Sequence, residues 1–124
     1  MKIAVLVILS ISFLCFSSLA QKKVTLIDKN EFSEILQSQK GNITLIDVRT
    51  IEEFEKGTIN SALNIDFWDP EFEIKCKRQL DKENKIIVFC AGGGRSAMAS
   101  KKLSKLGFRM IYDLEGGYES FILE

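Results

Sequence analysis

The 124-residue chain has no histidine. That absence excludes Cys-His and Ser-His-Asp catalysis and any metal site that needs an imidazole ligand. An excess of either charge is missing too. Lys and Arg number 17 and Asp and Glu number 17, which gives no electrostatic footprint for nucleic acid or an anionic surface. There is one proline and one tryptophan, and there are no internal repeats or low-complexity stretches. Cysteines are few, at three, and none forms a Cys-x-x-Cys pair. What is present is a 46% hydrophobic content, enough for one globular domain.

Only one long apolar run occurs, Ile3 to Phe16, broken by Ser10 and Ser12 and preceded by Lys2. It is shorter than the ~20 residues a membrane span needs. Ser17-Ser18-Leu19-Ala20 then supplies small residues where a signal peptidase requires them. Residues 1–20 read as a secretory signal peptide cleaved near Ala20, which predicts an extracytoplasmic protein, periplasmic or secreted, with no stable membrane insertion after cleavage. Cys15 follows Leu14, where a lipoprotein signal wants a small residue. Residues 21–124 form the domain and keep Cys76 and Cys90, so a disulfide in an exported protein is a question the sequence poses.

Along that domain, strand-like and helix-like segments alternate. Lys22 to Ile27 reads as an edge strand. Asp28 or Asn30 caps a helix over about Glu31 to Gln39, with Phe32, Ile35 and Leu36 as its stripe. Ile43 to Val48 is a strand buried on both faces. Thr50-Ile51-Glu52-Glu53 is a capping box opening a short helix that stops at Gly57. A short strand lies near Ala62 to Ile65. Asp69-Pro70 starts the next helix, with Phe72, Cys76 and Leu80 along one face. Ile86 to Phe89 is the central strand. Ser96 to Leu106 is a helix with Ala97, Ala99, Leu103 and Leu106 inward. Met110 to Leu114 is a fifth strand, and Gly116-Gly117 turns into a last helix with Tyr118, Phe121 and Ile122. The pattern predicts an α/β fold, a five-stranded, mostly parallel sheet with helices on both faces. Ligands of such sheets bind at the carboxyl ends of strands, where Cys90, Asp47 and Arg49 fall.

The stretch that carries chemistry is Cys90-Ala91-Gly92-Gly93-Gly94-Arg95-Ser96. A cysteine is nucleophilic as its thiolate. Without histidine, the thiol must be acidified by its surroundings. The helix N-terminus opened by these residues and the Arg95 cation are at hand for that. Glycines let consecutive amides converge, so Ala91, Gly92, Gly93, Gly94 and Ser96 can cradle an anion attached to the Cys90 sulfur. A persulfide or a phosphate is such an anion.

Three ordered motifs resemble the rhodanese family. The Cys90 loop resembles its single-domain active-site loop. Leu45 to Arg49, followed by Glu53-Phe54, Gly57, Ile59, Ala62, Asn64 and Ile65, resembles its amino-terminal signature, and Leu114-Glu115-Gly116-Gly117 its carboxyl-terminal one. The resemblance covers nearly all of residues 21–124. It implies a rhodanese-like fold and a two-step sulfurtransferase with Cys90 as nucleophile. Sulfur would pass from a small anionic donor such as thiosulfate to cyanide or a thiol, with a covalent Cys90 persulfide as intermediate and no cofactor or metal. Arg95 would steer the donor and stabilise the leaving sulfite. The protein would act as a monomer. Departures are Thr58 where the family usually has histidine, Phe121 where it often has tryptophan, and a loop with Arg95 as its one cation.

Other readings stand beside this one. Asp47 and Arg49 either support the site or form a structural ion-pair region in which Arg49 meets Glu53 across the helix start. Cys76 reads as core, Phe89 as packing behind the loop, and Trp68 as either core or the pocket mouth. A phosphatase or arsenate reductase of the same fold would need five residues between cysteine and arginine, and here Ala91 to Gly94 supply four. A persulfide carrier without turnover would have the same sequence. A redox protein would pair Cys76 with Cys90.

Overall fold

The computed structural model describes residues 24–38 and 41–123. The signal segment 1–20, with Cys15, lies outside the described residues. Among those described, no helix is long and apolar enough to cross a membrane.

The chain alternates β1 (Val24–Ile27), α1 (Lys29–Ser38), β2 (Ile43–Asp47), α2 (Ile51–Glu55), β3 (Leu63–Asn64), α3 (Phe72–Gln79), β4 (Lys85–Phe89), α4 (Gly94–Lys105), β5 (Ile111–Leu114) and α5 (Gly117–Ile122). The strands form one sheet in the order β1-β5-β4-β2-β3. Every pairing is parallel, with Asp47 beside Phe89 and Val88 beside Asp113. The most apolar strand, β4, is therefore central, and β1 is an edge as its alternating sequence predicts.

Side chains of successive strand residues leave opposite faces, which sorts the core into two layers. Ile46, Val48, Ile86, Val88, Cys90 and Ile111 pack against Phe72, Cys76 and Leu80 of the α3 region and Ala99 and Leu103 of α4. Ile27, Leu45, Ile87, Phe89 and Leu114 pack against Phe32 and Ile35 of α1 and Tyr118 and Phe121 of α5. Helices thus cover both faces, and Phe89 lies on the face opposite to Cys90.

Side-chain caps read from the sequence account for the first two helix starts. Asp28 caps α1: its Oδ1 accepts from the Glu31 amide at 2.8 Å, and Glu31 returns an oxygen to the Asp28 amide at 2.8 Å. Asn30 lies inside that helix. Thr50 caps α2 through the expected box with Glu53.

Three expectations change. α3 begins at Phe72, so Pro70 sits in the preceding turn rather than in the helix. Asp69 closes that turn, its carbonyl taking the Phe72 amide at 2.9 Å and its carboxylate the Glu71 amide at 2.8 Å. α4 begins at Gly94, two residues before Ser96. Its buried stripe is Ser96, Ala99, Ser100 and Leu103, leaving Ala97 exposed and Leu106 half-buried. Positions 96, 99, 100 and 103 follow helical periodicity, and two of the four are small hydroxyl residues in place of the expected Ala97 and Leu106. Ile122 of α5 is exposed.

Candidate active site

The loop joining β4 to α4 reverses direction in a few residues, and glycine makes that possible. Gly93 is the N-cap of α4 with φ at +116°, a conformation that side-chain-bearing residues rarely adopt. The turn brings the Cys90 sulfur to the start of a 12-residue helix. The Gly93 amide donates to Cys90 Sγ at 3.0 Å. Cys90 Sγ in turn lies 3.6 Å from Ser96 Oγ, toward which its S–H points, and Ser96 donates to the Gly93 carbonyl at 3.1 Å. Cys90 is 1% exposed and Ser96 is fully buried. Gly92 and Gly94 are exposed, and a Cβ on Gly94 would meet nothing within 4 Å, so a small partner has open space over that part of the loop.

From the other side, α5 grips the loop backbone. The Tyr118 amide donates to the Cys90 carbonyl at 2.8 Å and the Glu119 amide to the Ala91 carbonyl at 3.0 Å. Gly117, with φ at +60°, permits this approach. A Cβ there would lie 2.7 Å from the Ala91 carbonyl oxygen and closer still to that of Cys90. The Gly116-Gly117 motif thus acts on the cysteine loop itself, a role that its position 27 residues downstream of Cys90 does not announce.

Asp47 and Arg49 do not reach into the loop as substrate ligands would. They form a buried pair with side chains 0% and 5% exposed and Nη2 to Oδ2 at 2.7 Å. Arg49 Nε donates to both Asp47 oxygens, at 3.0 and 3.1 Å, and Nη2 also donates to the Gly57 carbonyl at 2.6 Å. Thr58 Oγ1 donates to Asp47 Oδ2 at 2.8 Å, so the residue standing where the family usually has histidine serves this network. Asn64 spans the backbone carbonyls of Asp47 and Arg49. The guanidinium stacks 4.2 Å above the Tyr118 ring, on the helix that grips the loop. The pair is thus a structural ion pair that touches α5, the helix whose amides hold the loop.

The expected Arg49–Glu53 contact is replaced by another. Glu53 pairs with Arg95, Nη1 to Oε1 at 2.7 Å and Nη2 to Oε2 at 3.0 Å, a bidentate bridge across 42 residues of sequence. The Arg95 hydrogen bonds hold the Glu53 carboxyl at about 2, down from an ordinary 4.5. Arg49 Nε and Nη2 are taken up by Asp47 and the Gly57 carbonyl, and Glu53 pairs with the loop cation instead.

Sequence reasoning passed over Asp113, at the end of β5. It is 5% exposed, its Oδ1 has no hydrogen-bond partner, and burial pushes its carboxyl up, opposed by a hydrogen bond with Ser96. An acidic residue among apolar ones near a strand end was the available signal. Cys76 is a free thiol in the core that burial pushes up to about 12, and Cys90 is also free. Trp68 is neither core nor beside the cysteine. It is 60% exposed, packs edge-on against Phe67, and lines a cleft of about 540 Å³ with Phe72, Ile74 and Lys102, where Cys90 takes no part. Among the described residues no group of three His, Cys, Asp or Glu side chains is arranged to hold a metal ion.

Comparison with known proteins is consistent with this geometry. The rhodanese-like domain family model matches residues 21–124. The chain is 31% identical over 117 residues to rhodanese-like domain-containing protein 17 of Arabidopsis thaliana, covering 86% of this chain and 73% of that protein. It is 32% identical over 101 residues to a tRNA uridine(34) hydroxylase of Legionella pneumophila, but spans 39% of it. It is 31% identical over 101 residues to the adenylyltransferase and sulfurtransferase UBA4 of Candida albicans, spanning 23% of it. The crystal structure of a rhodanese-related protein from Thermoplasma volcanium superposes with a TM-score of 0.61 at 32% identity, covering 77% of this chain and 88% of that one.

Proposed function

The chain belongs to the rhodanese-like domain family, and on that premise we propose that it is a sulfurtransferase working through a Cys90 persulfide. The observation that carries this reading is the seat of the Cys90 sulfur: at the first turn of α4, with the Gly93 amide 3.0 Å away and open space beside Gly94. The cysteine and the helix start are supplied by adjacent residues, so one loop seats both the sulfur and the amides that face it.

The transfer runs in two displacements. The Cys90 thiolate attacks the outer, sulfane sulfur of a donor. A sulfur–sulfur bond forms to Cys90, the donor's own bond breaks, and its electron pair leaves on the remainder: sulfite from thiosulfate, a thiolate from a persulfide. An acceptor nucleophile, cyanide in a test tube or a thiol in the cell, then attacks the outer sulfur of the Cys90 persulfide and returns the Cys90 thiolate. Splitting one exchange into two through a covalent intermediate is the gain of nucleophilic catalysis. The helix start and the loop amides stabilise charge on the added sulfur. A loop of four residues between Cys90 and Arg95 suits a single sulfur better than a tetrahedral phosphate. The domain acts as a monomer, outside the cytoplasm, as the sequence of residues 1–20 suggests.

The test is acceptor turnover. With thiosulfate or a persulfide as donor and cyanide as acceptor, the wild type should form thiocyanate faster than donor and cyanide do alone, and Cys90→Ala should not exceed that uncatalysed rate. Equal rates in the two would exclude the assignment. A Cys90 that loads with sulfur but never passes it on would make the domain a carrier.

A further inference from the structure

The loop carries a single cation, and that cation is already partnered. Arg95 meets both Glu53 oxygens through its two terminal nitrogens, with side chains 19% and 35% exposed. Asp66 also acts on the guanidinium, as does Cys90 itself. No Lys, His or second Arg lies between Cys90 and Ser96. We infer that Glu53 sets the donor class of this site: by neutralising Arg95 it disfavours dianionic donors such as thiosulfate and selects persulfides of thiols that bring little charge of their own. The inference rests on the sulfur-transfer reading above and deepens it.

Charge counting along the first displacement shows why. Thiolate plus thiosulfate carries three negative charges, and they end as a Cys90 persulfide anion and sulfite. Thiolate plus the persulfide anion of an uncharged thiol carries two, and plus the neutral persulfide only one, ending as a loaded Cys90 and a free thiolate. An unpaired arginine would offset one of those charges. Arg95 bound face to face with a carboxylate offers a neutral pair, and a donor must either displace Glu53 or do without the cation. Bidentate arginine–carboxylate pairs are among the stronger charged hydrogen bonds, so displacement is costly. Glu53 reaches Arg95 from α2, which is anchored by its capping box. The same Glu53 carboxylate that closes the capping box with Thr50 makes the bridge, so its position is set by the start of α2. Glu53 touches neither sulfur nor donor in this arrangement; it is a positioning residue that acts through Arg95.

Glu53→Gln isolates the charge. Glutamine at the third helical position still serves a capping box and still accepts from Arg95, so α2 should fold unchanged. The measurement is the rate at which Cys90 gains one sulfur, read by intact mass, from thiosulfate and from the persulfide of 2-mercaptoethanol. Glu53→Gln should raise the thiosulfate rate on the order of tenfold at low salt, as removing one charge near a dianion requires, with the gain shrinking in high salt. The mercaptoethanol persulfide rate should change much less. In Glu53→Gln/Arg95→Gln the thiosulfate gain should vanish. A thiosulfate rate unmoved by Glu53→Gln, or one that moves in step with the persulfide rate, would overturn the donor-class inference and leave the sulfur-transfer reading intact. Failure of every donor to load Cys90 in the wild type would overturn both.

Discussion

Arg49→Met is the substitution that best separates structural support from substrate contact at the buried pair. Methionine keeps an unbranched apolar stem but removes the guanidinium that stacks on Tyr118. Asp47, 0% exposed, would keep the Thr58 hydroxyl and the backbone amide of residue 49 while losing three side-chain hydrogen bonds and its counter-charge. The Gly57 carbonyl would lose its donor as well. Stranding a buried charge in this way costs about 3–5 kcal/mol. In a domain of this size each kcal/mol moves the melting temperature by about 4–8 °C, so the melting point should fall by ~12 °C or more. Adding Asp47→Asn removes the stranded charge and should recover a large part of the loss, giving the non-additivity of a coupled pair. Thermal and urea unfolding report both, and Cys90 loading measured well below the melting point should stay close to wild type. A loss under about 1 kcal/mol, the size of a surface pair, together with collapsed sulfur loading, would refute the reasoning and move Arg49 into the donor site.

Gly117→Ala should pry α5 from the cysteine loop. A left-handed backbone costs a side-chain-bearing residue about 1–2 kcal/mol, and displacing the Cys90 carbonyl should slow sulfur loading on the order of 100-fold; wild-type loading kinetics would contradict this. Asp113→Asn should change stability in a pH-dependent way. Burial raises the folded-state pKa of Asp113 above its unfolded value, so the stability it contributes is complete below ~4 and is lost as pH climbs through the raised value. The asparagine variant should therefore gain melting temperature relative to wild type at pH 7 and gain less or nothing at pH 4. Equal differences at both pH values would show that Asp113 ionises in the fold as freely as in the unfolded chain.

The sequence made the strands and the cysteine loop legible because both are local signals. A continuous apolar run marks β4, and a thiol followed by three glycines marks the turn at its end. The capping box of Thr50 and Glu53 was equally readable from spacing. What escaped was the use each side chain has once the chain folds. Glu53 is a capping residue by spacing and an arginine partner by tertiary approach, and nothing within 42 residues links it to Arg95. Arg49 lies two residues from Asp47 on an extended stretch, where side chains of residues i and i+2 share a face, and the closer carboxylate won over Glu53. Ala97 and Leu106 read as inward by their apolar character, and yet the buried stripe of α4 runs through Ser96, Ala99, Ser100 and Leu103, because small hydroxyl residues pass unnoticed in an apolar pattern. Gly117 looked like a turn residue; its tight contact is with a loop that only the fold brings near it.

The central claim, that Cys90 is a sulfur-carrying nucleophile, comes down to one measurement. The purified protein is incubated with a persulfide donor, freed of excess, weighed intact and then mapped by peptide. The account predicts a gain of the mass of one sulfur atom on the Cys90 peptide, discharged by cyanide and absent in Cys90→Ala. The same adduct on Cys76, or none on either cysteine, would contradict it.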